Sequence, residues 1–145
     1  MTSVRFSLST ILVVGFTAAA GRADKLTIKD DDYISDDGKQ VWSILEQRGI
    51  QNVILVGVHT NMCVLGRPFG IRQMVRLGKN VVLARDLTDA MYDPRQPPFV
   101  SHARGTELVI EHIEKYWCPS ILGADLTRVI AGSAGPIVKK ETATN

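Results

Sequence analysis

The chain has 145 residues, 45% of them hydrophobic, and its 17 basic and 15 acidic side chains leave a net charge of +2. That size suits one domain with a moderate core. The charges are interspersed, with no basic stripe or RNA-type aromatic signature, which argues against a nucleic-acid partner. No stretch reaches the ~20 apolar residues that would span a bilayer.

The first 24 residues, "MTSVRFSLSTILVVGFTAAAGRAD", carry one early cation, Arg5, then an apolar or small-residue run from Phe6 to Ala20. Small residues follow at Ala18-x-Ala20 and Gly21-x-Ala23. This layout predicts a secretory signal peptide over residues 1–23 and, if it is cleaved, a periplasmic or extracellular product. The alternative is a retained leader in a cytoplasmic protein, with "ILVVGF" as a buried strand. No cysteine follows the cleavage region, which argues against a lipoprotein.

Beyond the leader, "KLTIK" (25–29) reads as a short strand and "DDDYISDDG" as an acidic loop, whose Asp36 or Asp37 can cap a helix over 38–48. Val41, Ile44 and Leu45 recur there at helical spacing, and Gly49 ends the helix. "NVILVGV" (52–58) is a continuous apolar run of the kind buried on both faces of a parallel sheet. A helix is predicted over 63–77, with Val64, Ile71 and Val75 on one side, and Pro68 inside it should kink it or delay its start. "NVVLARD" (80–86) is a second buried strand, followed by the long loop "LTDAMYDPRQPPFV". A helix over 102–117 puts Leu108, Val109, His112, Ile113 and Tyr116 on one face. "SIL" (120–122) is a last short strand, and residues 131–145 form an aperiodic tail.

Alternating strands and helices imply a parallel α/β sheet, and sites in such sheets form at the carboxyl ends of the strands. Cys63, Asp86, the 87–100 loop and Lys29 all fall at that edge. Cys118, between a helix and a strand, falls at the opposite edge. A disulfide tolerates only ~6 Å between Cα atoms, so both cysteines read as free thiols. Cys63 in "GVHTNMC" opens a helix, where the helix terminus and a cation such as Lys29 would favour its thiolate. Backbone N–H groups of the sharp turn 58–63 could stabilise an oxyanion. A buried, inert cysteine is the plain alternative.

The run "NVILVGVHTNMCVLGRPFGIRQMVRLGKNVVLARDLTDAMYDP" resembles the isochorismatase-like cysteine hydrolase superfamily, which includes the nicotinamidases, and the resemblance extends over roughly 25–125. It implies a three-layer, Rossmann-like parallel sheet and a cysteine nucleophile working with a lysine and an aspartate. Cys63 matches the cysteine. Lys29, 34 residues upstream, matches the lysine in spacing and would act as a point charge. The resemblance also implies a cis peptide between Val58 and His59, which would turn the His59 N–H beside that of Cys63 to form the oxyanion hole.

This chain departs from the pattern upstream. The family's aspartate ends its first strand, but here no acidic residue precedes Asp24, and the position after "ILVV" holds Gly15 or Phe16. Asp24, Asp30, Asp31 and Asp32 lie too close to Lys29 to replace it. The family's second strand is missing, as are the upstream Asp and His residues with which nicotinamidases bind a metal, so neither a metal site nor any other cofactor is expected.

Other residues read more plainly. Arg85, Asp86 and Asp89 either line the pocket or pair within the loop. Tyr92 and Phe99 either wall a pocket or pack within their own loop. His102 marks a helix start, His112 a core edge, and Arg67 and Arg72 a solvated or intersubunit helix face.

The expectation is therefore an α/β domain over 24–130, truncated at its N-terminal half. It would leave the strand "NVILVGV" without a neighbour on one side, to be covered by the retained leader, a homo-oligomer or a complementing chain. Two functions follow: a hydrolase that attacks a small-molecule amide or related C–N bond through Cys63, or a catalytically inactive exported fragment or partner subunit.

Overall fold

The structure, a computed structural model, describes residues 12–16 and 32–127. Lys29, Asp24, the segment 25–29, the cleavage positions of the leader and the tail 131–145 lie outside the described residues. The described elements run β1 (Leu12–Phe16), α1 (Gly38–Gln47), β2 (Asn52–Val58), a π-helical turn (Thr60–Val64), α2 (Ile71–Arg76), β3 (Asn80–Asp89), α3 (His102–Tyr116), β4 (Ser120–Ile121) and α4 (Gly123–Thr127).

Four parallel strands form one sheet in the order β1-β2-β3-β4. This is the α/β, Rossmann-like arrangement that the alternating apolar runs predict. β1 is the "LVVGF" of the leader. It pairs with β2 from Leu12 opposite Val53 to Phe16 opposite Gly57, occupying the side of β2 left unpaired by the other strands.

β2 and β3 are the strands best specified by sequence. Val53, Leu55, Val81 and Leu83 point to one face and are buried in a single cluster with Val41 and Leu45 of α1, Val64, Ile71, Met74, and Ile110 and Ile113 of α3. Ile54, Val82 and Ala84 are buried on the opposite face. Burial on both faces explains the unbroken apolar runs. A side chain such as Leu55, with no exposed surface, contributes ~1.5–3 kcal/mol of transfer free energy.

α1 begins where the acidic loop ends, and Asp37 accepts hydrogen bonds from the backbone N–H groups of Lys39 and Gln40 at 2.8 and 2.9 Å. The helix predicted over 63–77 is broken instead. After the turn 60–64 and two more helical residues, Leu65 and Gly66, the chain runs irregularly through Pro68 and Gly70, and α2 begins only at Ile71. Pro68 cannot donate to a helix ladder. Gly70 folds back so tightly that a Cβ there would lie 2.7 Å from the Val64 carbonyl oxygen.

α3 keeps its predicted bounds within one residue, but its buried stripe is rotated. Gly105, Ile110 and Ile113 face the core, whereas Tyr116 is exposed and Leu108 and His112 line a cavity instead. No helix among the described residues is long and apolar enough to cross a membrane.

Candidate active site

The carboxyl ends of β2 and β3 are tied to each other before either strand turns away. Register shifts between Leu55 and Gly57, after which Gly57 pairs with Thr88 and Val58 with Asp89. Thr88 Oγ1 donates to the Gly57 carbonyl at 2.7 Å. Its single hydroxyl hydrogen is thereby used, so Thr60 is the donor in the 2.5 Å contact between Thr60 Oγ1 and Thr88 Oγ1. Thr60 is fully buried, and these two bonds fix where the turn leaves the sheet.

The turn then reverses at His59, which adopts left-handed backbone angles, φ 62° and ψ 55°. The expected cis peptide between Val58 and His59 is not present. The sole cis bond among the described residues is Pro97–Pro98, so the Val58–His59 bond is trans. The positive φ of Gly57, 124°, and of His59 supplies the reversal instead. The His59 carbonyl accepts from the N–H of Met62 at 2.9 Å and of Val64 at 3.3 Å, which winds the turn as a π-helix. Cys63 sits in this turn, half-buried and free.

Asn61 anchors the far side of the turn. Its Nδ2 donates to the Met91 carbonyl at 3.0 Å, and its Oδ1 accepts from the Met91 N–H at 2.9 Å. Beyond Met91, the loop closes around Tyr92. Its hydroxyl donates to the Gln96 carbonyl at 2.9 Å and accepts from the Val100 N–H at 3.2 Å. The Tyr92 ring packs against Gly105, where a Cβ would overlap the ring.

Asp89 and His102 close the other side of the loop. His102 Nε2 donates to Asp89 Oδ1 at 2.8 Å, Nδ1 donates to the Tyr92 carbonyl at 2.9 Å, and Thr106 Oγ1 donates to the same Asp89 oxygen at 2.9 Å. The Tyr92 carbonyl and an ionised Asp89 can only accept, so both ring nitrogens carry protons. The Tyr92 carbonyl and then the Asp89 carboxylate hold the His102 pKa above its ordinary value. For Asp89, desolvation pushes upward but is outweighed by the bonds from Thr106 and His102, and its pKa is lowered.

The other sequence-predicted polar residues serve the scaffold. Arg85 bridges Glu107 and Glu114, one face of α3, at 2.6 and 3.0 Å. Asp86 Oδ1 accepts from the Gly123 N–H at 2.7 Å and so starts α4. Arg72 lies over the Trp117 ring at 5.1 Å, and Phe99 is exposed. Cys118 is buried and reduced, and burial pushes its thiol up to about 12.

Sequence reasoning missed the anchoring roles of Thr60, Asn61 and Thr88. It also missed Lys79 at the opposite edge of the sheet, whose buried ammonium donates to Glu46 and to the Ile50 carbonyl, each at 2.7 Å. The "HTN" following β2 was the available signal for the first two. Among the described residues no three His, Cys, Asp or Glu side chains are grouped to hold a metal ion.

The fold can be matched to known proteins. No curated protein matches the chain. A solved structure of a cysteine hydrolase from Pseudomonas syringae pv. phaseolicola 1448A is similar in fold, with a TM-score of 0.51 and 23% sequence identity. The similarity covers 60% of this chain and 40% of that one, so the chain spans well under half the length of that neighbour. A family model, the isochorismatase domain, matches residues 22–112, which contain β2, the turn bearing Cys63, β3 and most of α3. With more than half of its length matched, the chain belongs to the isochorismatase family.

Proposed function

We propose that the protein is a hydrolase that acts on a small-molecule amide or related C–N bond through the thiolate of Cys63. The observation that carries this reading is the placement of a half-buried free cysteine in a tightly wound turn at the carboxyl end of β2, inside the region matched by the family. Such a position lies at the strand edge at which α/β sheets bind ligands.

In the proposed sequence, Cys63 Sγ attacks the carbonyl carbon and forms the C–S bond of a tetrahedral intermediate. Its oxyanion would be held by backbone N–H groups of the turn 58–63, that of Cys63 among them, and the resemblance assigns Lys29 as a point charge. Collapse breaks the C–N bond, and the amine leaves with a proton drawn from solvent water. Water then attacks the thioester, releasing the acid and restoring the thiolate. The test is a panel of small primary amides, followed by mass spectrometry of the chain. The reading predicts product release and a transient acyl adduct on Cys63, both lost in Cys63→Ser. A panel turned over equally by Cys63→Ser would refute it.

A second reading, an inactive exported fragment or partner subunit, is favoured by one observation. β1, the neighbour of β2, reads LVVGF and contributes no carboxylate. Asp89, paired with Val58 at the same edge, is already committed to His102 and Thr106. Loss of a general base costs ~10²–10⁴ in rate, so a complementing chain or a second copy carrying a carboxylate would restore turnover under this reading.

A further inference from the structure

The π-helical turn has two working faces, and only one carries Cys63. Residues four apart on a helical turn share a face, and the residue midway between them points the other way. Thr60 and Val64 both face the core and are fully buried. Asn61 and Leu65 form the next such pair, and both line a cavity of about 270 Å³ between the turn and α3. Cys63 lies midway between Asn61 and Leu65, about half a turn away, and does not line it.

The cavity has the character of a receptor for a ring rather than of loose packing. Leu65 and Gly105 make its buried base, and Leu108 and Val109 make half-buried walls. The Tyr92 ring is fixed as a further wall, held against Gly105 and pinned by its hydroxyl to Gln96 and Val100. Asn61 is clamped in place by its two bonds to Met91. No lysine or arginine lines the space, and His112, exposed at the rim with its ring tilted 48° to that of Tyr116 and centroids 4.9 Å apart, is its one ionisable side chain besides Tyr92. A volume somewhat below the ~300 Å³ at which drug-sized ligand sites begin suits a single aromatic or branched aliphatic group.

We infer that this cavity is a binding site for a small, uncharged aromatic or branched apolar ligand, placed on the reverse face of the Cys63 turn and separate from the site of attack. Two of its lining side chains are already held in place, the Tyr92 hydroxyl by Gln96 and Val100 and the Asn61 amide by Met91. Because Cys63 points away, chemistry at its sulfur leaves the cavity intact.

The test is a ¹³C-methyl NMR titration of the full chain with toluene, with benzoate as its charged counterpart. Toluene should produce saturable shifts confined to the methyl groups of Leu65, Leu108 and Val109, and benzoate should produce none. Val109→Phe, which fills the cavity, should abolish the toluene shifts. Prior alkylation of Cys63 with iodoacetamide should leave them unchanged. Non-saturating shifts spread over exposed leucines such as Leu87 and Leu122 would overturn the site. Loss of toluene binding on alkylation of Cys63 would overturn its separateness, because the cavity would then belong to the nucleophile's own pocket. The wild-type titration decides the point even if the Val109 variant fails to fold.

Discussion

Asp89 and His102 meet at 2.8 Å, and the second nitrogen of the imidazole is committed to the Tyr92 carbonyl. The ring is therefore held as an imidazolium and locks the start of the 90–101 loop to the first turn of α3. This pairing also removes Asp89 from the set of free bases near Cys63. Folded-state stabilisation through His102 is fully present below its ordinary value of 6.5 and is lost as pH rises through the raised folded value. Stabilisation through Asp89 is present above its ordinary 3.8 and is lost as pH falls through the lowered folded value. The pair is intact between those two folded values. NMR titration of the His102 ring should give a midpoint above 6.5, and Asp89→Asn should lower it. An unchanged midpoint in Asp89→Asn would show that the pair does not form in solution.

The Thr60–Thr88–Gly57 chain predicts unequal costs for two similar substitutions. Thr60→Val removes one hydrogen bond and should cost ~1 kcal/mol in urea unfolding. Thr88→Val strips an acceptor from the buried Thr60 hydroxyl and a donor from the Gly57 carbonyl, and should cost ~2–3 kcal/mol. Equal losses would mean that Thr88 is not the shared partner.

Lys79 predicts an asymmetry of a different kind. Its side chain is 1% exposed, whereas Glu46 is 48% exposed, and the ammonium also lies 4.7 Å from the centre of the Trp42 ring. Glu46→Ala leaves a buried charge with weakened compensation and should cost ~1–3 kcal/mol, less than a fully buried pair would because Glu46 is half-solvated. Lys79→Met removes the charge and keeps the volume, and should cost less than Glu46→Ala. Thermal unfolding of the two variants checks the order.

Gly105→Ala places a methyl group inside the Tyr92 ring contact. The ring must shift, at a cost of ~1–3 kcal/mol typical of overpacking. The loop residues Gln96 and Val100 should then exchange their amide hydrogens faster, while β2 and β3 keep their protection.

The scaffold was largely legible because it depends on patterns the sequence displays directly. Continuous apolar runs located β2 and β3, and Asp37 and Gly49 marked the ends of α1. The turn after β2 was harder to read. A helix seemed to start at Cys63 because Val64, Ile71 and Val75 share a period, but the tight return at Gly70 splits that stretch into a π-helical turn and a short helix. Period alone also rotated the face of α3, since Leu108 and His112 are apolar-face residues by spacing yet line a cavity. Partners such as Asn61 and Met91, 30 residues apart, depend on which strand ends are neighbours, a fact absent from local sequence. The Val58–His59 cis bond was implied by resemblance and not by these residues, and a left-handed His59 takes its place.

The central claim, that Cys63 is the nucleophile, is tested most directly by the rate of its alkylation with iodoacetamide at neutral pH. The experiment is clean because the only other cysteine, Cys118, is buried with its thiol pushed up to about 12. The account predicts a single thiol alkylated much faster than free cysteine, lost in Cys63→Ser and slowed in Lys29→Ala. A folded chain whose Cys63 is alkylated no faster than free cysteine, indifferent to Lys29, would contradict the hydrolase reading and leave the turn as inherited architecture.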